Sequence, residues 1–182
     1  MPGKQRVIAW DTCVFLSWLD GTDPRHMPGI DECVRKIDRG EVYLITSHVT
    51  QMEVLPSKLT IEQQEIFNAV FRHPRTEMKY PDLRITALVQ RIRDYYVRAK
   101  QVDGLDTIGV PDAEQLATAI VYRADAFYTY DEGKKAGKKA RGLLSLNGNV
   151  AGYPLVVCVP PVTEAFQMPL TLYGDVPDDA RG

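Results

Sequence analysis

The chain has 182 residues, 45% hydrophobic and 25% charged, which fits one globular domain with its own core and excludes disorder over most of its length. Its 22 lysines and arginines against 24 acids leave a net charge of −2, so bulk charge does not mark an extended binder of nucleic acid or membrane. The apolar runs all fall short of the ~18 residues a bilayer span needs, and the opening MPGKQRVIAWD lacks a signal-peptide h-region. Cys13, Cys33 and Cys158 form an odd, widely spaced set without a C-x-x-C motif. They read as free thiols in a reducing compartment, and the expectation is a cytoplasmic protein with no membrane partner.

In chain order, RVIAW (6–10) predicts a short strand that stops at Asp11, followed by a helix from Thr12. Residues 21–29, with Pro24 and Pro28, predict a loop. Ile30, Cys33, Val34 and Ile37 recur at helical spacing, with Gly40 as a stop. VYLIT (42–46) is a second strand, and a short helix over 47–55 ends at Pro56. Thr60 and Gln63 fit a capping box opening a helix to Phe71. A short strand at 78–80 precedes the longest helical pattern, 82–102, and DAEQLATAIVYRA (112–124) is an alanine-rich helix leading into the strand AFYTY (126–130). LVVCV (155–159) predicts the last buried strand, and the proline-marked residues 161–182 a partly flexible extension beyond a domain at 1–160. Continuous apolar strands alternating with helices predict an α/β fold with a mainly parallel central sheet covered on both faces.

In such a sheet, chemistry collects beyond the carboxyl ends of the strands. Asp11 and Asp131 each directly follow a strand there, Glu53 lies on the helix after the second strand, and Asp112 opens the helix leading to the Asp131 strand. Each acid has a structural explanation alone. Asp11 can cap its helix, Asp112 with Gln115 matches a capping box, Glu53 can be a solvated surface acid, and Asp131 begins a turn. Their joint placement carries the functional reading. Clustered carboxylates repel unless a cation neutralises them, and an all-oxygen donor set suits Mg²⁺ or Mn²⁺. His26, His48 and His73 are scattered without partner cysteines, which gives zinc little support. Carboxylate-held magnesium is an arrangement for phosphodiester hydrolysis.

The segments VIAWDTCVFL, SHVTQMEVL and PDAEQLATAIVYRADAFYTYD, in that order over roughly residues 5–160, resemble the PIN-domain ribonucleases, and among them the VapC-type toxins of toxin–antitoxin pairs. The resemblance implies a three-layer α/β/α fold and a metal-dependent endoribonuclease leaving a 5′-phosphate and a 3′-hydroxyl. It implies an acidic quartet of Asp11, Glu53, Asp112 and Asp131 on Mg²⁺ or Mn²⁺, with Thr12 and Thr129 as supporting hydroxyls. RNA, an antitoxin protein and a second copy of the chain are the partners it implies. Cys13 stands where the family commonly shows asparagine, and the 21–29 loop, the 60–71 helix and the tail after Val159 exceed a compact VapC-type toxin.

Removing four acids into a metal site leaves 20 acids against 22 bases, from the 24 and 22 of the whole chain. Lys134, Lys135, Lys138, Lys139 and Arg141 follow Asp131 closely, and the expectation is a flexible basic arm that neutralises RNA phosphates beside the acids. A solvated lysine-rich loop is its plain alternative. Two rival functions remain. One is a non-catalytic PIN-like scaffold. The other is a phosphoaspartyl enzyme, disfavoured because Cys13 stands two residues after Asp11, where such phosphatases place a second aspartate.

Overall fold

The computed structural model describes residues 5–135 and 138–162, and only the backbone of 134, 135, 138 and 139. Five strands, β1 (Arg6–Trp10), β2 (Val42–Ser47), β3 (Thr76–Lys79), β4 (Ala126–Tyr128) and β7 (Val157–Cys158), form one sheet in the order β3-β2-β1-β4-β7, and every pairing is parallel. The two-residue strands β5 (Lys134–Lys135) and β6 (Lys138–Lys139) pair antiparallel with each other. The helices are α1 (Thr12–Asp20), α2 (Met27–Asp38), α3 (Val49–Glu53), α4 (Ile61–Val70), α5 (Leu83–Asp103) and α6 (Val110–Val121).

Side-chain alternation along the strands divides the interior in two. Ile8, Trp10, Val42, Leu44 and Tyr128 pack with Val14 and Phe15 of α1, Ile30, Cys33 and Ile37 of α2, and Phe67 of α4. Ala9, Ile45 and Phe127 face the other way, onto Ile85, Leu88 and Ile92 of α5 and Ala113, Leu116 and Ala117 of α6. The result is the expected three-layer α/β/α arrangement. The strands are continuous apolar runs because helices cover both faces. The small alanines let α6 lie close to the sheet. Phe15, fully buried and edge-on to Trp10 and Phe67, is worth about 3–5 kcal/mol against alanine.

Three local expectations change. The loop after α1 is shorter, because α2 starts at Met27 with a proline in its first turn. Gly29 serves packing there, since a Cβ would collide with the Pro160 carbonyl. The helix carrying Asp112 starts at Val110 with Gly109 as N-cap, so Asp112 lies inside its first turn and forms no capping box with Gln115. The backbones of Lys134–Lys135 and Lys138–Lys139 pair with each other in place of an open arm. The Thr60–Gln63 capping box is present as expected. All three cysteines are free. No helix among the described residues is long and apolar enough to cross a membrane. The expectation of a flexible tail falls, beyond residue 162, outside the described residues.

β1 is central, and the chain builds β2 and β3 on one side of it before crossing to β4 and β7 on the other. The crevice at such a reversal of strand order is where open parallel sheets bind ligands. Asp11 lies at the carboxyl end of β1, and Thr129 and Asp131 lie just past that of β4.

Candidate active site

Asp11 is the N-cap of α1, with extended backbone (φ −70°, ψ 155°), but its carboxylate does not cap the helix. It accepts hydrogen bonds at Oδ2 from the Thr129 hydroxyl at 2.6 Å and from the Cys13 thiol at 3.0 Å. The Thr129 Oγ1 in turn accepts the Asp131 backbone N–H at 3.0 Å. The Cys13 sulfur accepts the Tyr130 backbone N–H at 3.2 Å. Two bridges therefore stitch the first turn of α1 to residues 129–131. Burial, together with the adjacent Asp11 carboxylate, pushes the Cys13 thiol pKa well up, so the sulfur stays protonated and can donate to Asp11.

Glu53 is the last residue of α3. Its Oε2 accepts the Thr12 hydroxyl at 2.5 Å and the Gln115 amide Nε2 at 3.4 Å. Gln115 is 2% exposed. It also donates from Nε2 to Thr12 Oγ1 at 3.1 Å and accepts the Thr12 backbone N–H at Oε1 at 3.2 Å. Sequence reasoning missed this residue as part of the site, having given it to a helix cap. Its only local signal was a polar residue between buried Ala113 and Leu116 on the alanine-rich face.

Asp112 stands in the first turn of α6, where the helix dipole favours a negative charge. Asp131 accepts the Gly133 N–H at Oδ1 (2.9 Å) and the Leu143 N–H at Oδ2 (3.2 Å), which folds the following loop back on itself. Among the described residues, no lysine or arginine lies within ion-pair distance of Asp11, Glu53 or Asp131.

All four acids border one open cleft of about 490 Å³, together with Thr12, Cys13, Leu16, Met52, Leu55 and Tyr130. They share a cleft and not a point: among the described residues no three Asp, Glu, His or Cys side chains are close enough together to grip an ion. The donor set still suits a hard divalent ion, because Mg²⁺ is commonly held by one or two carboxylates and keeps several waters. A separate apolar crevice of about 260 Å³, lined by Trp10, Trp18, Ile37 and Ile66 among others, contains none of these acids.

Arg141 does not extend with the lysines. Its side chain is 8% exposed, paired with Asp103 at 2.7 Å, hydrogen-bonded to the Asp106 carbonyl at 3.3 Å and laid over the Tyr96 ring at 4.7 Å. A guanidinium that fixes the end of α5 in this way has no free face for phosphate, and the expectation of RNA contact is corrected for this residue. The side chains of Lys134, Lys135, Lys138 and Lys139 lie outside the described residues.

The PIN domain family model matches residues 8–139, and the chain belongs to this family. Solved structures of similar fold include VapBC2 from Rickettsia felis bound to a DNA fragment from its promoter. That likeness has 14% identity and a TM-score of 0.51, covering 68% of this chain and 86% of the other. FitAcB from Neisseria gonorrhoeae is similar at 18% identity and a TM-score of 0.47, over 84% of this chain and 97% of the other. Identities this low speak to fold alone. No curated protein sequence is significantly similar to the chain.

Proposed function

We propose that the protein is a Mg²⁺- or Mn²⁺-dependent endoribonuclease acting as the toxin of a toxin–antitoxin pair. The observation that carries the reading is the lining of one cleft by Asp11, Glu53, Asp112 and Asp131 at the reversal of strand order. Asp11, Asp112 and Asp131 would hold the metal, directly or through water, and Glu53 would hold a second metal or the attacking water. A divalent ion there supplies a water ionised near neutral pH and offsets the charge of the scissile phosphate.

The chain's own groups prepare that chemistry. Thr129 and Cys13 fix the Asp11 carboxylate from one side. Thr12 and Gln115 orient Glu53 from the other. Asp131 ties down the loop that leads to the paired strands β5 and β6, whose lysines would neutralise RNA phosphates on either side of the cut. An antitoxin protein, self-association into a homodimer and a cytoplasmic location go with this reading through the family resemblance. Co-purification with the product of an adjacent reading frame tests the first, and sedimentation the second.

Purified protein incubated with mixed cellular RNA, with and without EDTA and beside Asp11→Asn, tests the activity. Cleavage by the untreated wild type alone is expected; cleavage by every sample, or by none, sinks the proposal. The spacing of the acids favours a second reading, a non-catalytic PIN-like scaffold that binds RNA or protein. That reading requires no metal-dependent cleavage and no effect of Asp11→Asn.

A further inference from the structure

α3 is five residues long, too short to keep a helical shape on its own in water. Its last residue is Glu53, so where that carboxylate stands depends on what fixes the helix. The Thr50 hydroxyl, 2.7 Å from that of Thr46, ties the middle of α3 to β2. That bond does not reach α6, the helix that carries Asp112.

Two neighbouring residues of α6 make the connection. Gln115 meets Glu53 at the C-terminal end of α3. Glu114 serves the N-terminal end: its Oε1 accepts the Ser47 hydroxyl at 2.8 Å and lies 2.7 Å from His48 Nδ1. A carboxylate has only lone pairs to offer, so the imidazole nitrogen facing it carries the proton. Ser47 is the last residue of β2, and His48 is the N-cap of α3 but makes no side-chain cap bond. The Ser47 oxygen also accepts the Val49 N–H at 3.2 Å, which passes the hold on to the first residue of the helix.

Glu114 is a fifth acid, two residues from Asp112, yet it is not among the residues that border the cleft. Its side chain is 13% exposed, and a carboxylate so covered is costly unless partners take up its lone pairs. Ser47 and His48 do so, which leaves Glu114 tied to α3 and turned to no ligand.

We propose that Glu114 is a positioning residue of the acid-lined cleft: by holding Ser47 and His48 it seats α3 against α6 and so sets Glu53 relative to Asp112. The consequence for a metal rests on the proposed nuclease reading; the strap itself does not.

The test compares Glu114→Leu, Glu114→Gln and His48→Ala by amide hydrogen exchange and by Mn²⁺ titration calorimetry. In Glu114→Leu the acceptor is gone. The Gln51, Met52 and Val54 amides, which donate to the His48 and Thr50 carbonyls, should exchange roughly tenfold faster while those of α5 keep their wild-type rates. Mn²⁺ affinity should fall roughly tenfold, as when the support of a metal ligand is lost. His48→Ala should move both readouts the same way, and it decides the matter if Glu114→Leu does not fold. Glu114→Gln keeps an oxygen for Ser47 and His48 and should match the wild type in both. Wild-type exchange of α3 in the leucine and alanine variants overturns the strap. So does a glutamine variant as impaired as the leucine one, which would assign the effect to charge. Faster α3 exchange with unchanged Mn²⁺ affinity overturns the link to Glu53. A wild type that binds no Mn²⁺ sinks the metal-dependent reading instead, and the exchange rates still decide the strap.

Discussion

The Gln115 side chain grips Thr12 twice, donating from Nε2 to its hydroxyl at 3.1 Å and accepting its backbone N–H at 3.2 Å. The same Nε2 reaches Glu53 at 3.4 Å. One amide of α6 thereby sets the first turn of α1 and the acid at the end of α3. Gln115→Leu, close in volume, leaves the buried Thr12 N–H without its partner, at a cost of about 1–3 kcal/mol in denaturant unfolding. It also releases Glu53, and RNA cleavage should fall by roughly 10- to 100-fold, as when the supporting partner of a metal ligand is removed. Unchanged stability would show that the amide is not holding Thr12.

Thr129 carries a hydroxyl used in both directions, donating to Asp11 and accepting from Asp131. Thr129→Val keeps the shape, strands the Asp131 N–H and leaves the Asp11 Oδ2 with the Cys13 thiol as its remaining donor. The expected outcome is a loss of about 1–3 kcal/mol together with weaker Mn²⁺ binding by calorimetry. Thr129→Ser restores the hydroxyl and should recover both. A valine variant with wild-type stability and Mn²⁺ affinity contradicts the relay.

Arg141 and the neighbouring lysines should part company on mutation. Arg141→Ala removes the clasp on Asp103, Asp106 and Tyr96 and lowers the melting temperature, with the salt dependence of RNA binding unchanged. Lys138→Ala/Lys139→Ala should leave the melting temperature alone and flatten the salt slope by one to two phosphate contacts. A flatter slope in Arg141→Ala would return that residue to the nucleic-acid surface.

Cys33 packs between α2 and the sheet, and burial raises its thiol pKa to about 12. In the unfolded chain a thiol ionises near pH 8.5. Below that value both states hold the proton and Cys33 adds no pH dependence. Above it the unfolded chain alone loses the proton, so stability declines by about 1.4 kcal/mol per pH unit until the folded pKa is reached. Urea unfolding at about pH 8, 9 and 10 should show that decline, and Cys33→Ala should make it shallower. An identical slope in the variant would assign the alkaline loss to other groups.

The fold was legible because its determinants are local. Buried parallel strands read as unbroken apolar runs, and the Thr60–Gln63 cap lies within a single turn. Asp11 and Asp131 stood out by their places just after strands, Glu53 by the helix that follows the second strand and Asp112 by the helix that leads to the Asp131 strand, and all four line one cleft. What escaped depended on partners far along the chain. Gln115 meets Thr12 across 103 positions and Glu53 across 62, and Arg141 meets Asp103 across 38. A charge run beside Asp131 suggested that Arg141 behaves like its neighbours, while the deciding contact was with the end of a helix. Asp112 looked like a cap because its polar neighbour Gln115 sits three residues on; Gly109 and Pro111 start the helix earlier.

The crossing of the chain from β3 to the far side of β1 fixes when the acid-lined cleft can be completed during synthesis. Asp11 waits for Thr129 to emerge 118 residues later, so a ribosome-bound fragment ending at β3 holds two acids with no opposing wall. On the proposed nuclease reading, the cleft stays incomplete until β4 and the residues just past it have been made. Stalled chains released before and after β4 should differ in RNA cleavage in an all-or-none way.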